Sequence, residues 1–410
     1  MRQRYSVLLV DDDPVSLTLL SHCLEAGGFE VVAVDSGDGV VEHVLAHRPQ
    51  CVMVDVMMPG LDGMEVCRRL RGYSELTDTR IIVMSSKVYD TDRRRALDLG
   101  ADAFIAKPIE VNRIAGQVRR IIKDRVHLTF WGIRGTLPVS GLSSLRYGGN
   151  TPCVSMEFAR GALLVFDAGT GIKVLSDHLR DTGRLRLNTH IFISHPHWDH
   201  INALPFFAPL YVQGSQIEIL GPCQGEKCVE DFLRDQMDGV YFPITAEEFS
   251  ARLSFRHLGE EILDLEDGIR VKTLYLHHPG HCLGYRVEYG SRILCYITDN
   301  EIYPAHTGLR DDAYVTKLTE FVSRADVLIT DSTYTDEEYE SHMHWGHSSV
   351  GEVVNLAHQA QVRMLYLFHH DPDQNDEDID AKLEWAQARL RRLGSDTQCF
   401  GPVEGEKISL

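Results

Sequence analysis

Long apolar runs are missing from this 410-residue sequence: none approaches the roughly 20 residues that crossing a bilayer requires. The opening Met1-Arg2-Gln3-Arg4-Tyr5 leads toward a strand with no apolar h-region, so neither a membrane anchor nor a secretory signal is expected, and a cytoplasmic location is. A basic excess is missing too. Lys and Arg number 41 against 60 Asp and Glu, a formal net charge of −19. Such a surface repels polyanions, which disfavours long nucleic acid on a basic track but allows a small anion gripped locally. Paired cysteines are scarce. Nine are scattered through the chain, and Cys223 with Cys228 is the one close pair in an expected loop. With no second pair to complete a zinc knuckle, reduced thiols are expected there. Gly/Ser/Pro-rich tethers, internal repeats and low-complexity tracts are also absent.

What is present exceeds one core. This length suggests two or three domains, and 43% hydrophobic with 25% charged residues is ordinary for globular protein. The densest chemistry is Ile193-Ser194-His195-Pro196-His197-Trp198-Asp199-His200, which follows an apolar run over 189–194 that reads as a buried strand. Alternating His195 and His197 can converge on one metal, while Asp199 and His200 point at a second position nearby. Imidazole nitrogen and carboxylate oxygen suit a borderline divalent ion such as zinc. This HxHxDH stretch resembles the signature of the metallo-β-lactamase superfamily of metal-dependent hydrolases. The resemblance covers nearly all of 126–410 and implies an αββα sandwich.

Residues 5–122 alternate apolar strands with amphipathic helices, the pattern of a parallel sheet wrapped by helices. Expected strands end at Asp11-Asp12-Asp13, at Asp55, at Ser85-Ser86 and at Lys107-Pro108. In an open parallel sheet functional groups gather at such carboxyl ends. Asp11, Asp12 and Asp55 can hold Mg²⁺, Asp55 can attack an incoming phosphoryl group, and Lys107 and Ser85 can then engage its oxygens. The set resembles the receiver domain of two-component response regulators, with Phe104 where that family has its aromatic switch residue. The last helix, expected over 110–125, meets the strand 126–130 with no tether, which favours direct coupling.

Downstream, the resemblance implies a third histidine for the first metal, and two registers compete. The phosphodiesterase and tRNase Z-type branches point to His278, six residues before Gly284-Tyr285; a lactamase-type Pro-Gly-His motif points to His281. His278 is preferred, with His277 on the opposite strand face. Asp299, at the end of Tyr296-Ile297-Thr298, can bridge two ions. His369 is the expected last ligand, with His370 its competitor. His347, in a Gly-His-Ser context, resembles the histidine that protonates the leaving oxygen in those branches. Arg134 and Asn150, near Gly-rich segments similar to the same subgroup, are candidate substrate contacts.

The expectation is therefore an α/β chain: a doubly wound parallel-sheet receiver over 1–125, then the sandwich over 126–410. Phosphorylation at Asp55, from a sensor histidine kinase, would control a dinuclear phosphodiesterase acting on a small anionic substrate such as a cyclic nucleotide or dinucleotide. Its metal ligands would be His195, His197, His278, Asp199, His200, Asp299 and His369, with Asp199 and His347 catalytic. Two divalent transition metals are implied, zinc preferred and manganese or iron open, besides the receiver Mg²⁺. A thioesterase or lactamase, or an idle scaffold used for binding, are the rivals. No membrane partner is expected, and a homodimer is left open.

Overall fold

The computed structural model describes residues 4–73, 76, 78–86, 89–240 and 242–410. They separate into two compact units, one built on the chain up to Arg125 with Tyr289–Arg292 and Leu410, the other on Val126–Glu288 and Ile293–Ser409.

In the first unit the apolar runs form β1 (Ser6–Val10), β2 (Glu30–Val34), β3 (Cys51–Asp55), β4 (Arg80–Ser85) and β5 (Ala103–Ala106). All pair in parallel in the order β2-β1-β3-β4-β5. Every residue of β3 and β4 is buried because helices cover both faces of the sheet. Leu8, Val52 and Val83 pack on one side with Val44 and Leu70; Leu9, Met53 and Met84 pack on the other with Leu20, Leu24 and Val118. The first helix, Pro14–Ala26, begins where the Asp13 carboxylate accepts from the Val15 and Ser16 amides, with proline in its first turn. Strand order reverses about β1, so chain connections leave β1 and β3 in opposite directions and open a crevice at their carboxyl ends. Asp11, Asp12 and Asp55 stand there. The helix expected over 110–125 is Val111–Lys123.

The second unit opens with β6 (Val126–Gly132), β7 (Cys153–Phe158), β8 (Leu163–Phe166), β9 (Asn188–Phe192), β10 (Gln216–Gly221) and β11 (Arg252–His257). It continues with β12 (Ile262–Asp264), β13 (Ile269–Leu276), β14 (Cys282–Tyr289), β15 (Arg292–Ile297), β16 (Val327–Asp331), β17 (Met364–Phe368), β18 (Gln398–Phe400) and β19 (Lys407–Ser409). These form two seven-stranded sheets, β11-β10-β9-β8-β7-β6-β19 and β12-β13-β14-β15-β16-β17-β18. The layer between them is aromatic. Phe166 lies 5.6 Å from Tyr285 and 5.5 Å from Tyr296, and Phe130 lies 5.0 Å from Tyr366, ring centre to ring centre. Such pairs add about 0.5–1.5 kcal/mol beyond the area they bury. Apolar clusters on the outer faces take in the helices Gly171–Asp181 and Val229–Gln236 on the first sheet, and Val350–Gln359 and Asp376–Arg392 on the second. The result is an αββα sandwich.

One expectation needs correction, and one strand was not anticipated. Residues 282–289, read in the sequence only as part of a motif, are a strand, and its Tyr285 hydroxyl donates to Ile193 O at 2.7 Å, tying it to the HxHxDH loop. Cys223 and Cys228 are not thiols but a disulfide. Gln224 and Lys227 pair through their backbones, which turns the chain back on itself and sets the flanking cysteines face to face. Among the described residues the other seven cysteines are free, six of them buried. No described helix is long and apolar enough to cross a membrane.

Candidate functional site

Strand ends deliver most of the candidate residues. β9 leads into His195; His197 caps the short helix Trp198–Ile201, whose first turn carries Asp199 and His200. His278 follows β13, Asp299 follows β15, and His369 follows β17 with a left-handed φ of 59°. A left-handed histidine is held only where its surroundings over-determine it. Here the Thr333 hydroxyl donates to the His369 carbonyl at 2.7 Å, and Gly135 leaves room for the ring, since a Cβ on it would come within 2.3 Å. Gly346, at φ +85°, stands against His278 in the same way, with a virtual Cβ 2.3 Å from Nδ1. These glycines serve close approach to histidine rings.

Donor atoms of His195, His197, His278 and Asp299 lie within 4.8 Å of one another, as do those of Asp199, His200 and His369. The sets share Asp299. Its Oδ2 is 3.6 Å from His195 Nε2 and 3.7 Å from His278 Nε2, whereas its Oδ1 is 3.2 Å from His200 Nε2 and 3.1 Å from His369 Nε2. Asp199 Oδ2 completes the second set, 3.2 Å from both His200 and His369, and it accepts the Thr136 amide at 2.8 Å. His281 and His370 fall outside both groups. The first turns away, its Nδ1 2.9 Å from Cys223 O and its amide bonded to Gln224. The second is buried beside Arg134 with its backbone paired to Ile133 and Gly135. His277 stacks on Tyr314 at 3.5 Å, away from the donors.

Each of four histidines is oriented through its far nitrogen, as metal-binding imidazoles usually are. His200 Nδ1 is 2.7 Å from Asp167, His278 Nδ1 2.9 Å from Gly346 O, His369 Nδ1 3.2 Å from Thr333 Oγ1, and His347 Nδ1 2.8 Å from Asp331. Asp167 is itself fully buried and accepts from Ser194 and from the Tyr296 hydroxyl. Asp167 and Asp331 escaped the sequence reading. The available signal was that each ends a strand, as Asp299 does. Glu301 was missed as well: it is buried and accepts from the Tyr339 hydroxyl and the His344 and Gly346 amides, bracing the loop before His347.

The electrostatics suit a cation. Burial pushes His195 well below its ordinary range, so it is neutral and able to donate a lone pair. Burial lowers His200 as well, but Asp199, Asp299 and Asp167 more than reverse this and raise it well above the usual range. The Nε2 atoms of His195 and His200 are buried and have no hydrogen-bond partner among the described residues. Orphaned imidazole nitrogens aimed at shared carboxylates fit the divalent metal that the fold family implies. His347 lies 5.0 Å from the His369 ring, and its donor atom groups with Asp299 and His369. Burial lowers its pKa, yet Asp331, by charge and hydrogen bond, drives it up to about 9.

Arg134 and Asn150 do not face the donors. Arg134 is fully buried and donates to Gly148 O and Gln374 O at 3.0 and 2.5 Å, and Asn150 Nδ2 donates to Glu404 at 2.7 Å, so both hold loops in place.

In the first unit, Asp11, Asp12 and Asp55 bring carboxylate oxygens within 4.8 Å of one another. Lys107 Nζ is 2.7 Å from Asp11 and 2.5 Å from Asp55, and Asp55 also accepts the Met57 amide at 2.8 Å. Ser85 is buried at the end of β4, and Phe104 packs half-buried against one face of the sheet.

Residues 163–370 match the family described as beta-lactamase superfamily domain, and residues 7–119 match the response regulator receiver domain. The alkaline phosphatase synthesis transcriptional regulatory protein PhoP of Bacillus subtilis is 32% identical over 117 residues, 28% of this chain and 48% of that one. The chain thus spans about half the length of the curated relatives it matches. The metallo-beta-lactamase fold protein YhfI from Bacillus subtilis aligns at 18% identity and a TM-score of 0.49, over 70% of this chain and 100% of that chain. A diphosphatase from the PhnP family aligns at 19% identity and a TM-score of 0.48, over 69% and 97%. The two family matches follow one another along the sequence, and the larger takes in the HxHxDH loop, His278, Asp299 and His369. The chain belongs to the beta-lactamase superfamily and carries a response regulator receiver domain ahead of that domain.

Proposed function

We propose that this protein is a response regulator whose output is a dinuclear metal-dependent phosphodiesterase, with domains over 1–125 and 126–410. The observation that carries the reading is Asp299, whose two oxygens face different histidine sets, with His347 beside it. His195, His197 and His278 with Asp299 would hold one ion; Asp199, His200 and His369 with Asp299 would hold the other. Two such ions, zinc by donor chemistry, supply positive charge for phosphoryl oxygens and acidify a water at neutral pH. The chain's own part is orientation and proton supply. Asp331 fixes His347 with Nδ1 bonded and its other nitrogen free to protonate the departing alkoxide. Asp199, held by the Thr136 amide, keeps its carboxylate oriented toward His200 and His369. The acidic surface favours a small substrate such as a cyclic nucleotide or dinucleotide.

Control would come from the receiver. Asp11, Asp12 and Asp55 would hold Mg²⁺, and the Asp55 carboxylate would take a phosphoryl group from a histidine kinase. Phosphate brings close to two negative charges beside Lys107 and Ser85. Ser85 moving toward it leaves space for Phe104, and the helix Val111–Lys123 is followed after two residues by β6. A short junction transmits such a shift with little slack. A phosphodiester panel assayed with and without beryllofluoride tests the reading, alongside thioester and lactam probes; preference for the latter probes would defeat it.

A further inference from the structure

Four tryptophans occur in the chain. Trp131 is buried and donates its indole N–H to Ser155 at 2.8 Å, and Trp385 packs half-buried on the core of the second sheet. The other two stand in solvent, Trp198 82% and Trp345 60% exposed. A large aromatic left in water forgoes the burial that favours it inside a fold, and neither ring belongs to an apolar cluster. Both nevertheless adjoin donor-bearing residues along the chain. Trp198 lies between His197 and Asp199. Trp345 precedes Gly346, whose carbonyl holds His278 Nδ1 at 2.9 Å, and is two residues from His347. His197 and His278 themselves approach to 3.1 Å, and His197 is the exposed member of its set. The two exposed rings are therefore carried by segments that also carry the exposed donor His197 and the loop holding His278 and His347. Trp345 is also backed edge-on by His342 at 4.8 Å, which stacks on Tyr334 at 4.4 Å.

We propose that Trp198 and Trp345 are stacking platforms that select a nucleoside-bearing phosphodiester, with Trp345 taking the base on the leaving-group side next to His347. An indole face can hold any nucleobase without a charge, and a surface of net charge −19 gives the phosphate no help away from the donor cluster. Discrimination between one small diester and another then falls to apolar contact. This inference rests on the phosphodiester reading, and its test separates the two.

Metal-free protein is titrated with AMP and with ribose 5-phosphate while indole fluorescence is followed. The metal-loaded protein is then assayed on an adenosine dinucleotide and on the same diester lacking both bases. AMP should quench fluorescence and ribose 5-phosphate should not. Trp198→Ala and Trp345→Ala should each raise KM for the dinucleotide, relative to the base-free diester, by roughly 5- to 150-fold, and Phe at either position should recover most of that ratio. AMP-specific quenching without diester hydrolysis would defeat the phosphodiester reading and leave the platforms standing. Equal quenching by both ligands, or variants that shift both diesters alike, would overturn the platforms. So would variants that change the mass by light scattering while leaving AMP quenching as it was, because the rings would then serve contact between copies.

Discussion

In the receiver, Asp11, Asp12 and Asp55 gather beside an ammonium of their own chain; in the second unit, imidazoles gather around Asp199 and Asp299, which pair with no Lys or Arg among the described residues. Lys107, within 2.7 Å of Asp11 and 2.5 Å of Asp55, offsets part of the charge of the first cluster before any ion arrives. In the second, burial lowers His200, but Asp199, Asp299 and Asp167 raise it well above its ordinary range. An all-oxygen set with a resident cation suits a hard ion that comes with a phosphoryl group. A nitrogen-rich set with orphaned Nε2 atoms suits an ion held permanently. Both sites mix depths, with Asp11 and Asp55 buried beside exposed Asp12, and His195 and Asp299 buried beside exposed His197.

Breaking the second cluster should have the largest effect. Asp199→Ala removes a carboxylate from one donor set, so we expect turnover to fall to background and bound metal to drop toward one ion per chain, with circular dichroism unchanged. His278→Ala should lower metal content and activity far more than His281→Ala, whose partners are the Cys223–Gln224 loop and the Tyr275 ring rather than the donor sets; metal analysis of both variants gives the ranking.

Next comes proton delivery. His347→Ala should cost about 10²–10⁴-fold in kcat. As an acid, His347 must be protonated, so activity falls as pH rises through its pKa. That value is about 9 without metal, and cations beside it act downward, so the alkaline limb lies at or below 9. Asp331→Asn removes the charge that raises it and should move the limb to lower pH, a shift read from the kcat profile.

Asp167→Asn should weaken metal binding about 10–100-fold, as loss of a carboxylate behind a ligating histidine does; chelator competition measures it. Smallest in the hydrolase, but decisive for the comparison, is Asp55→Ala. Coupling between sites is typically about 5–150-fold. We expect beryllofluoride to change wild-type rate or dimer affinity within that range, and Asp55→Ala to erase the change without altering basal turnover.

How much of this was legible depended on how far apart the cooperating residues lie. The receiver set could be read because each member ends its own apolar strand. The HxHxDH loop could be read because four donors share six residues. Asp299 was accessible as a carboxylate at a strand end. Asp167 and Asp331 end strands too, but they act through His200, 33 residues away, and His347, 16 residues away, and no local pattern ties the partners together. Arg134 and Asn150 misled because glycine-rich surroundings suit either a ligand or a ring; here Gly135 admits His369. The thiols expected at Cys223 and Cys228 failed for a local reason, the backbone pairing of Gln224 with Lys227.

The most direct measurement is metal content of the purified protein taken together with initial rates on phosphodiester, thioester and lactam substrates, with and without beryllofluoride. The account predicts about two transition-metal ions per chain, hydrolysis of a small diester above the other probes, and a beryllofluoride response that Asp55→Ala lacks. Protein that carries no such metal after loading, or that opens thioesters or lactams faster than any diester, would contradict it.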